Sequence, residues 1–275
     1  IKSYQIVVTN LGSGADYAQY QIGMSHGFRN ENDSKIRALS KVVNDFQISS
    51  LKDDALYQLA NTYTKTKNHE KAHRAYNRLL EKYPKSSFLP RALVRQGLLY
   101  YSNNQNPEAI ERFKLTANKY PNTPDAIEAV RNAKNIYLDE DNFDEYVAWV
   151  QTLQFINVSQ SEAENSSFTI AERKYFENKN HSGIIFSLKK YLTKFPKGPN
   201  FLKANYYLAD ILFKEKQFDK AIINYNIILK AGITPFSEDT LAKLSQIYLE
   251  KQKFQDALPL LERLEKEAYT IENIQ

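Results

Sequence analysis

Apolar residues recur along the chain at spacings of three and four, in short stripes divided by polar breaks. Leu56, Leu59, Ala60 and Tyr63 form one stripe. Lys67 and Asn68 break it, and Ala72, Tyr76 and Leu79 form the next before the chain reaches Tyr83-Pro84. Positions so spaced share one face of a helix, so the segment predicts two amphipathic helices joined by a tight turn. The frame returns 37 residues later as Leu93, Gln96, Gly97 and Tyr100, a break at 104–106, then Ala109, Phe113, Thr116 and Tyr120-Pro121.

Carried along all 275 residues, the frame places a central first-helix position, the anchor, at Gly23, Ala60, Gly97, Ala133, Glu172, Ala209 and Ser245, with intervals of 37, 37, 36, 39, 37 and 36. Seven units follow. Twelve residues beyond each anchor stand Lys35, Ala72, Ala109, Glu145, Ile184, Ala221 and Ala257. Alanine in that place lets the second helix lie close against the first, and a larger residue four positions on fills the next groove. Start and stop signals fall on the same period. Asn106-Pro107 and Thr123-Pro124 set proline at a first helical position behind a capping residue, and Asn68 caps the helix at 69. Tyr83-Pro84, Tyr120-Pro121 and Phe195-Pro196 end second helices, since a residue before proline is pushed out of the α region.

This pattern resembles the tetratricopeptide repeat, a helix-turn-helix unit, most clearly at Leu59-Ala60, Tyr63, Ala72, Tyr76 and Pro84 and at Gly97, Tyr100, Ala109, Phe113 and Pro121. The resemblance implies an all-α fold, a right-handed α-solenoid of antiparallel helix pairs in which neighbours cover each other's apolar stripes. Its frame divides residues 1–275 into one array. Residues 1–12 form the second helix of a preceding repeat, complete repeats lie at 13–51, 52–88, 89–122, 123–159, 160–197, 198–235 and 236–268, and 269–275 begin a further one. The first residue is Ile1 and both ends interrupt the frame, so a longer parent protein is expected.

In the resembled family the first helices line a concave groove, and the frame names the residues that should face it. Tyr20, Met24, Tyr57, Asn61, Val94, Leu98, Tyr101, Lys134, Tyr137, Arg173, Phe176, Tyr206, Asp210 and Phe213 are expected there. The aromatic rings offer large contact areas at low rotamer entropy, which suits a peptide or protein segment as partner. Packing between adjacent first helices is the alternative use of the same rings. A finer resemblance is to the carboxylate clamp of some members. Gln58 stands where the clamp has an amide, Arg91 and Arg95 where it has cations, and Arg131 adds a cation one repeat on, whereas Tyr20 and Met24 replace its remaining Lys and Asn.

Composition narrows the chemistry. A hydrophobic fraction of 42% with 25% charged residues is that of a folded protein, and no apolar run is long enough for a transmembrane helix. The charge of +5, from 37 basic against 32 acidic residues, is spread without a basic block or stacking motif, so nucleic acid is not an expected partner. The absence of cysteine removes thiolate catalysis and cysteine metal sites. His69-Glu70-Lys71-Ala72-His73 matches the H-E-x-x-H pattern of helical zinc hydrolases, but Ala72 is the repeat's own packing residue and no third ligand follows. Gly12-Ser13-Gly14 lacks the lysine of a phosphate loop, and no G-x-S-x-G elbow occurs. The expected function is therefore a noncatalytic interaction scaffold with no cofactor. The alternatives are a zinc metallohydrolase on the His69/His73 helix and a structural spacer or self-association element. The Tyr83-Pro84-Lys85-Ser86 and Tyr120-Pro121-Asn122-Thr123 endings resemble those of repeat proteins of the bacterial envelope, including outer-membrane-assembly lipoproteins and periplasmic cell-division coordinators. That resemblance implies the periplasmic side of the envelope, with the cytoplasm as the alternative.

Overall fold

The computed structural model describes residues 1–10 and 13–268, which form fifteen helices and no strand. Residues 11–12 and the further repeat expected at 269–275 lie outside the described residues. The fold divides into two compact units, Ile1–Asn157 and Val158–Gln275. The first holds α1 Lys2–Thr9, α2 Ala15–Phe28, α3 Asn32–Asp45, α4 Lys52–Lys65, α5 His69–Lys82, α6 Leu89–Ser102, α7 Asn106–Lys119, α8 Pro124–Asp139 and α9 Phe143–Val150. The second holds α10 Gln160–Glu177, α11 His181–Lys194, α12 Phe201–Lys214, α13 Phe218–Lys230, α14 Ser237–Glu250 and α15 Phe254–Glu267. In each unit helices pack as antiparallel pairs, and each second helix also packs on the first helix that follows it.

The period is written into the backbone. Asn30, Lys67, Asn104, Asp141, Asn178, Lys216 and Gln252 all adopt φ between 49° and 59°, at intervals of 37, 37, 37, 37, 38 and 36. Each stands in the turn between the two helices of a repeat, and none is glycine. In six of the turns the next amide donates back over the turn, as Asn68 N–H does to the Tyr63 carbonyl at 2.8 Å and Lys253 N–H to that of Tyr248 at 2.8 Å. This is the Schellman closure, which satisfies carbonyls that the helix end leaves open. The fifth turn differs. The Asn178 N–H donates to the Lys174 carbonyl at 3.1 Å, one extra residue follows, and the side-chain oxygen of Asn180 caps α11 by accepting from the Gly183 N–H at 3.0 Å.

The core lies between anchors and second helices. Leu39, Tyr76, Phe113, Leu188 and Tyr225, all on second helices, are fully or almost fully buried. A Cβ on Gly97 would stand 2.6 Å from the Phe113 ring, and one on Gly23 would stand 2.7 Å from Leu39, so those anchors are glycine for lack of space. Ala72, Ala109, Ala221 and Ala257 are buried against the first helices, as the frame requires.

Three sequence expectations shift. The fifth anchor is the fully buried Ala171, because Glu172 turns toward Lys203 and Tyr207 of the next repeat. The fourth second-helix contact is the buried Tyr146 in place of the exposed Glu145, since α8 runs one residue longer before its turn. Asn106 does not cap α7. The turn closed by Gln105 N–H on the Tyr100 carbonyl leaves Gln105 as the cap residue and draws Asn106 into the helix, where its amide donates to Glu140 at 2.8 Å. The other caps stand, with Thr123 accepting from the Ala126 N–H at 3.1 Å and Asn68 from the Lys71 N–H at 3.3 Å. In α9, Trp149 lies edge-on to Tyr146 at 6.1 Å, with the Lys114 ammonium 5.7 Å from its ring.

Candidate binding face of the first helices

The first helices are α2, α4, α6 and α8 in one unit and α10, α12 and α14 in the other. Their side chains bridge successive repeats by a recurring rule. The tyrosine three positions before an anchor stacks on an aromatic, or donates its hydroxyl to an acid, at the start of the next first helix. Tyr20 donates to Asp54 at 2.6 Å and Tyr206 to Asp239 at 2.8 Å. Tyr57 stacks on Phe88 at 5.2 Å and Tyr206 on Phe236 at 4.8 Å. Burial, then the acceptor carboxylate, pushes the Tyr20 hydroxyl well above the ordinary tyrosine range, and Tyr206 shifts the same way, so both remain hydrogen donors at any ordinary pH.

These bonds decide which residues of the face are open. Tyr20 and Tyr57 are buried, and Tyr137 is almost fully so, donating to Glu145 at 3.1 Å. Gln58 is half-buried between Lys35, whose ammonium donates to it at 3.2 Å, and Asp54 at 3.5 Å. Asn61 accepts from the Tyr76 hydroxyl at 2.7 Å, and Tyr101 donates to Asp139 at 2.7 Å. Arg91 is exposed, with its guanidinium 3.5 Å from Asp125. Arg95 and Arg131, two positions before their anchors on α6 and α8, are exposed and make no ion pair or hydrogen bond among the described residues.

In the second unit Arg173 and Phe213 are half-buried, the latter tilted on Phe218 at 5.9 Å. Phe176 is 69% exposed, with its ring edge-on to Tyr207. The densest charge lies beside it, at residues the frame names only in part. Asp210 is buried and accepts from Tyr175 at 2.8 Å, Lys214 at 2.8 Å and Lys243 at 2.6 Å. Lys243 also reaches Asp239 at 2.8 Å. Burial opposes ionisation of Asp210, but the donors from Lys214, Lys243 and Tyr175 outweigh it and hold its carboxyl below the usual range. Tyr175, which also stacks on Tyr207 at 4.0 Å, escapes the sequence frame because the anchor there is Ala171.

The two histidines of the H-E-x-x-H segment do not assemble a metal centre. His69 is the first residue of α5, in the slot that Phe143, Phe218 and Phe254 fill at the start of α9, α13 and α15. The His73 ring lies tilted against Tyr100 at 4.3 Å with a buried Nδ1, and burial, then His69 and Arg112, lowers its pKa. His26 and His181 are engaged by Glu31 and Glu215, and among the described residues no three His, Cys, Asp or Glu residues converge.

The tetratricopeptide repeat family profile matches residues 54–86 and 91–123, which lie on α4–α5 and α6–α7. No curated protein matches this one in sequence. Among solved structures, a tetratricopeptide repeat protein from Parabacteroides merdae is 13% identical over 94% of this protein and 96% of its own length, with a TM-score of 0.47. The TPR2AB domain of yeast Sti1, solved as a pHSP90 complex, is 15% identical over 95% of this protein and 94% of its own length, at 0.48. PilF of Pseudomonas aeruginosa is 17% identical over 92% of this protein and 91% of its own length, at 0.39. Among the described residues no helix is long and apolar enough to cross a membrane.

Proposed function

We propose that this protein, which carries tetratricopeptide repeats at 54–86 and 91–123, is a noncatalytic scaffold that holds a carboxylate-bearing peptide or protein segment on the first-helix face of its first unit. Repeats of this family mediate protein–protein interaction. The observation that supports the site is the contrast within that face. Tyr20, Tyr57 and Tyr137 are occupied in joining or packing the repeats, whereas Arg95 and Arg131 stand at equivalent positions of consecutive first helices and make no ion pair or hydrogen bond among the described residues. Arg91, 57% exposed on the same helix as Arg95, adds a third cation already within reach of Asp125. A planar guanidinium fork matches a carboxylate in two-point geometry, so three on one face favour an acidic residue or the free carboxylate at a peptide's end. In the second unit, taken by itself, Arg173, Phe176, Tyr206 and Phe213 are the proposed contacts on the first helices.

The test is a screen of fluorescent peptides by anisotropy, with each hit made with a free and an amidated C-terminus. The Arg95→Glu/Arg131→Glu variant should lose at least about tenfold in affinity, in line with two charge-assisted bonds. Lys41→Glu, on the solvent face of α3, should keep it. Equal binding by the arginine variant and the native protein refutes the site, and cleavage of the bound peptide refutes the noncatalytic reading. We place the protein on the periplasmic side of a bacterial envelope, supported by the Tyr-Pro-x-Ser/Thr endings alone. Fractionation of the native host is the check.

A further inference from the structure

The thirty-two residues from Asn178 to Ala209 contain no acid and six lysines, Lys179, Lys189, Lys190, Lys194, Lys197 and Lys203. The next longest run without an acid, 82–107, carries four bases, Lys82, Lys85, Arg91 and Arg95. The fold does not scatter the charge. Lys189, Lys190 and Lys194 lie on the exposed side of α11, and Lys197 is exposed in the loop that follows. Phe186 lies one turn before the first pair, 68% exposed. Phe186, Lys189, Lys190 and Lys194 fall at i, i+3, i+4 and i+8, so one side of α11 carries a stripe of an aromatic ring followed by three cations, and Lys197 adds a fourth in the loop beyond the helix end.

Repeat packing does not ask for that ring. Phe186 is the sixth residue of its helix, and the sixth residues of α3, α5 and α7 are Arg37, Arg74 and Glu111, all exposed. The next second helix, α13, again carries an exposed apolar residue there, Ile223 at 62%. Beside the stripe, a recess of about 500 Å³ opens between the 195–199 loop and the first turn of α10, floored by Phe195, Pro196 and Pro199 and rimmed by Lys194 and Lys197. Of the acids nearby, Glu164 is buried in the lining of the recess, engaged by Tyr191 and Asn200, Glu215 is held by His181 at the far end of α11, and Glu177 ends α10 at that same end.

We propose that the Phe186–Lys197 face of α11 docks on the surface of an anionic phospholipid bilayer. Exposed rings among lysines combine shallow apolar insertion with attraction to headgroups, the pairing that interfacial helices use. All four cations are lysine, compact charges suited to a diffuse anionic plane rather than to two-point recognition of one group. The outward side of a single helix is also convex, a shape that meets a flat surface and cannot enclose a strand. This face is separate from the arginine face of the first unit and stands or falls without it.

Co-sedimentation of the full-length protein with vesicles of phosphatidylcholine alone, and of phosphatidylcholine with phosphatidylglycerol, tests the proposal. Binding should require phosphatidylglycerol and weaken with added salt. At roughly fivefold per lysine near an anionic surface, the Lys189→Gln/Lys190→Gln/Lys194→Gln/Lys197→Gln variant should lose roughly a hundredfold or more. The matching four-arginine variant should bind, Phe186→Ser should bind more weakly, and Arg95→Glu/Arg131→Glu should bind as the native protein does. Circular dichroism of each variant should match the native spectrum, because every substituted residue is exposed. Absence of sedimentation with phosphatidylglycerol vesicles overturns the proposal, as does a glutamine variant that binds like the native protein. Tighter binding to polyglutamate or duplex DNA than to those vesicles also overturns it and gives the face to an acidic polymer.

Discussion

The seven left-handed turn residues allow a direct test of what closes each repeat. Lys67, Lys216 and Gln252 hold φ of 58°, 55° and 57° with exposed side chains that make no hydrogen bond or ion pair among the described residues. A residue with a Cβ is destabilised in that conformation by roughly 1–2 kcal/mol relative to the right-handed one. Glycine escapes the clash but loses more freedom on folding, an offset of roughly 0.5–1 kcal/mol. The difference leaves about 0.5–1 kcal/mol of stabilisation per glycine. No native contact is removed, because the Gln217 N–H to Leu212 carbonyl bond and the Lys253 N–H to Tyr248 carbonyl bond are made by the backbone. Lys216→Gly/Gln252→Gly acts on two separate repeats of the second unit, so the effects should add to about 1–2 kcal/mol. For a unit of this size that corresponds to a rise of about 5 °C or more in melting temperature. Thermal melts followed by far-ultraviolet circular dichroism measure it. Two controls isolate the cause. Asn104→Gly should gain less, because asparagine tolerates the left-handed region, and Lys216→Ala should gain nothing. A glycine pair that melts at or below the native temperature, or a Lys216→Ala variant that gains as much as Lys216→Gly, would refute the reasoning.

Asp210→Asn should destabilise the second unit by about 2–4 kcal/mol, less than the roughly 3–5 kcal/mol of a fully buried pair because Lys214 and Lys243 keep some contact with water. The folded carboxyl titrates below its unfolded value, so its contribution is complete above about pH 4 and fades as pH falls through the folded value. Urea titrations of the native protein and the variant should therefore converge in acid, and a constant difference down to low pH would contradict this. Gly97→Ala should cost about 1–3 kcal/mol by forcing a Cβ against Phe113, and Gly97→Ala/Phe113→Leu should recover part of that loss in the same melts. No recovery would mean the clash lies elsewhere.

The repeat was legible because its packing is local. A small anchor, a large residue sixteen positions on and a turn between them leave a signature inside each stretch of about 37 residues. Where the signal failed, it failed by one residue. Ala171 and Glu172 are neighbours, and the Asn178-Lys179-Asn180 turn offers two asparagines without saying which closes the first helix and which caps the second. The binding face was less legible, because the exposure of a residue such as Tyr20 is set in the following repeat by its bond to Asp54. A spacing rule was nonetheless present. Tyr20 with Asp54, Tyr206 with Asp239 and Tyr175 with Asp210 are separated by 34, 33 and 35 residues, one repeat less a few positions. Such pairs mark tyrosines occupied between repeats. Arg95 and Arg131 stand out only when no acid answers them at that distance, which requires the neighbouring helix in three dimensions.

The placement of Trp149 equips the molecule with an internal optical reporter. It is the only tryptophan among 275 residues, and it belongs to α9 of the first unit. Indole emission therefore follows the melting of that unit alone, while ellipticity sums both. The gap between the two curves measures how independently the two halves come apart.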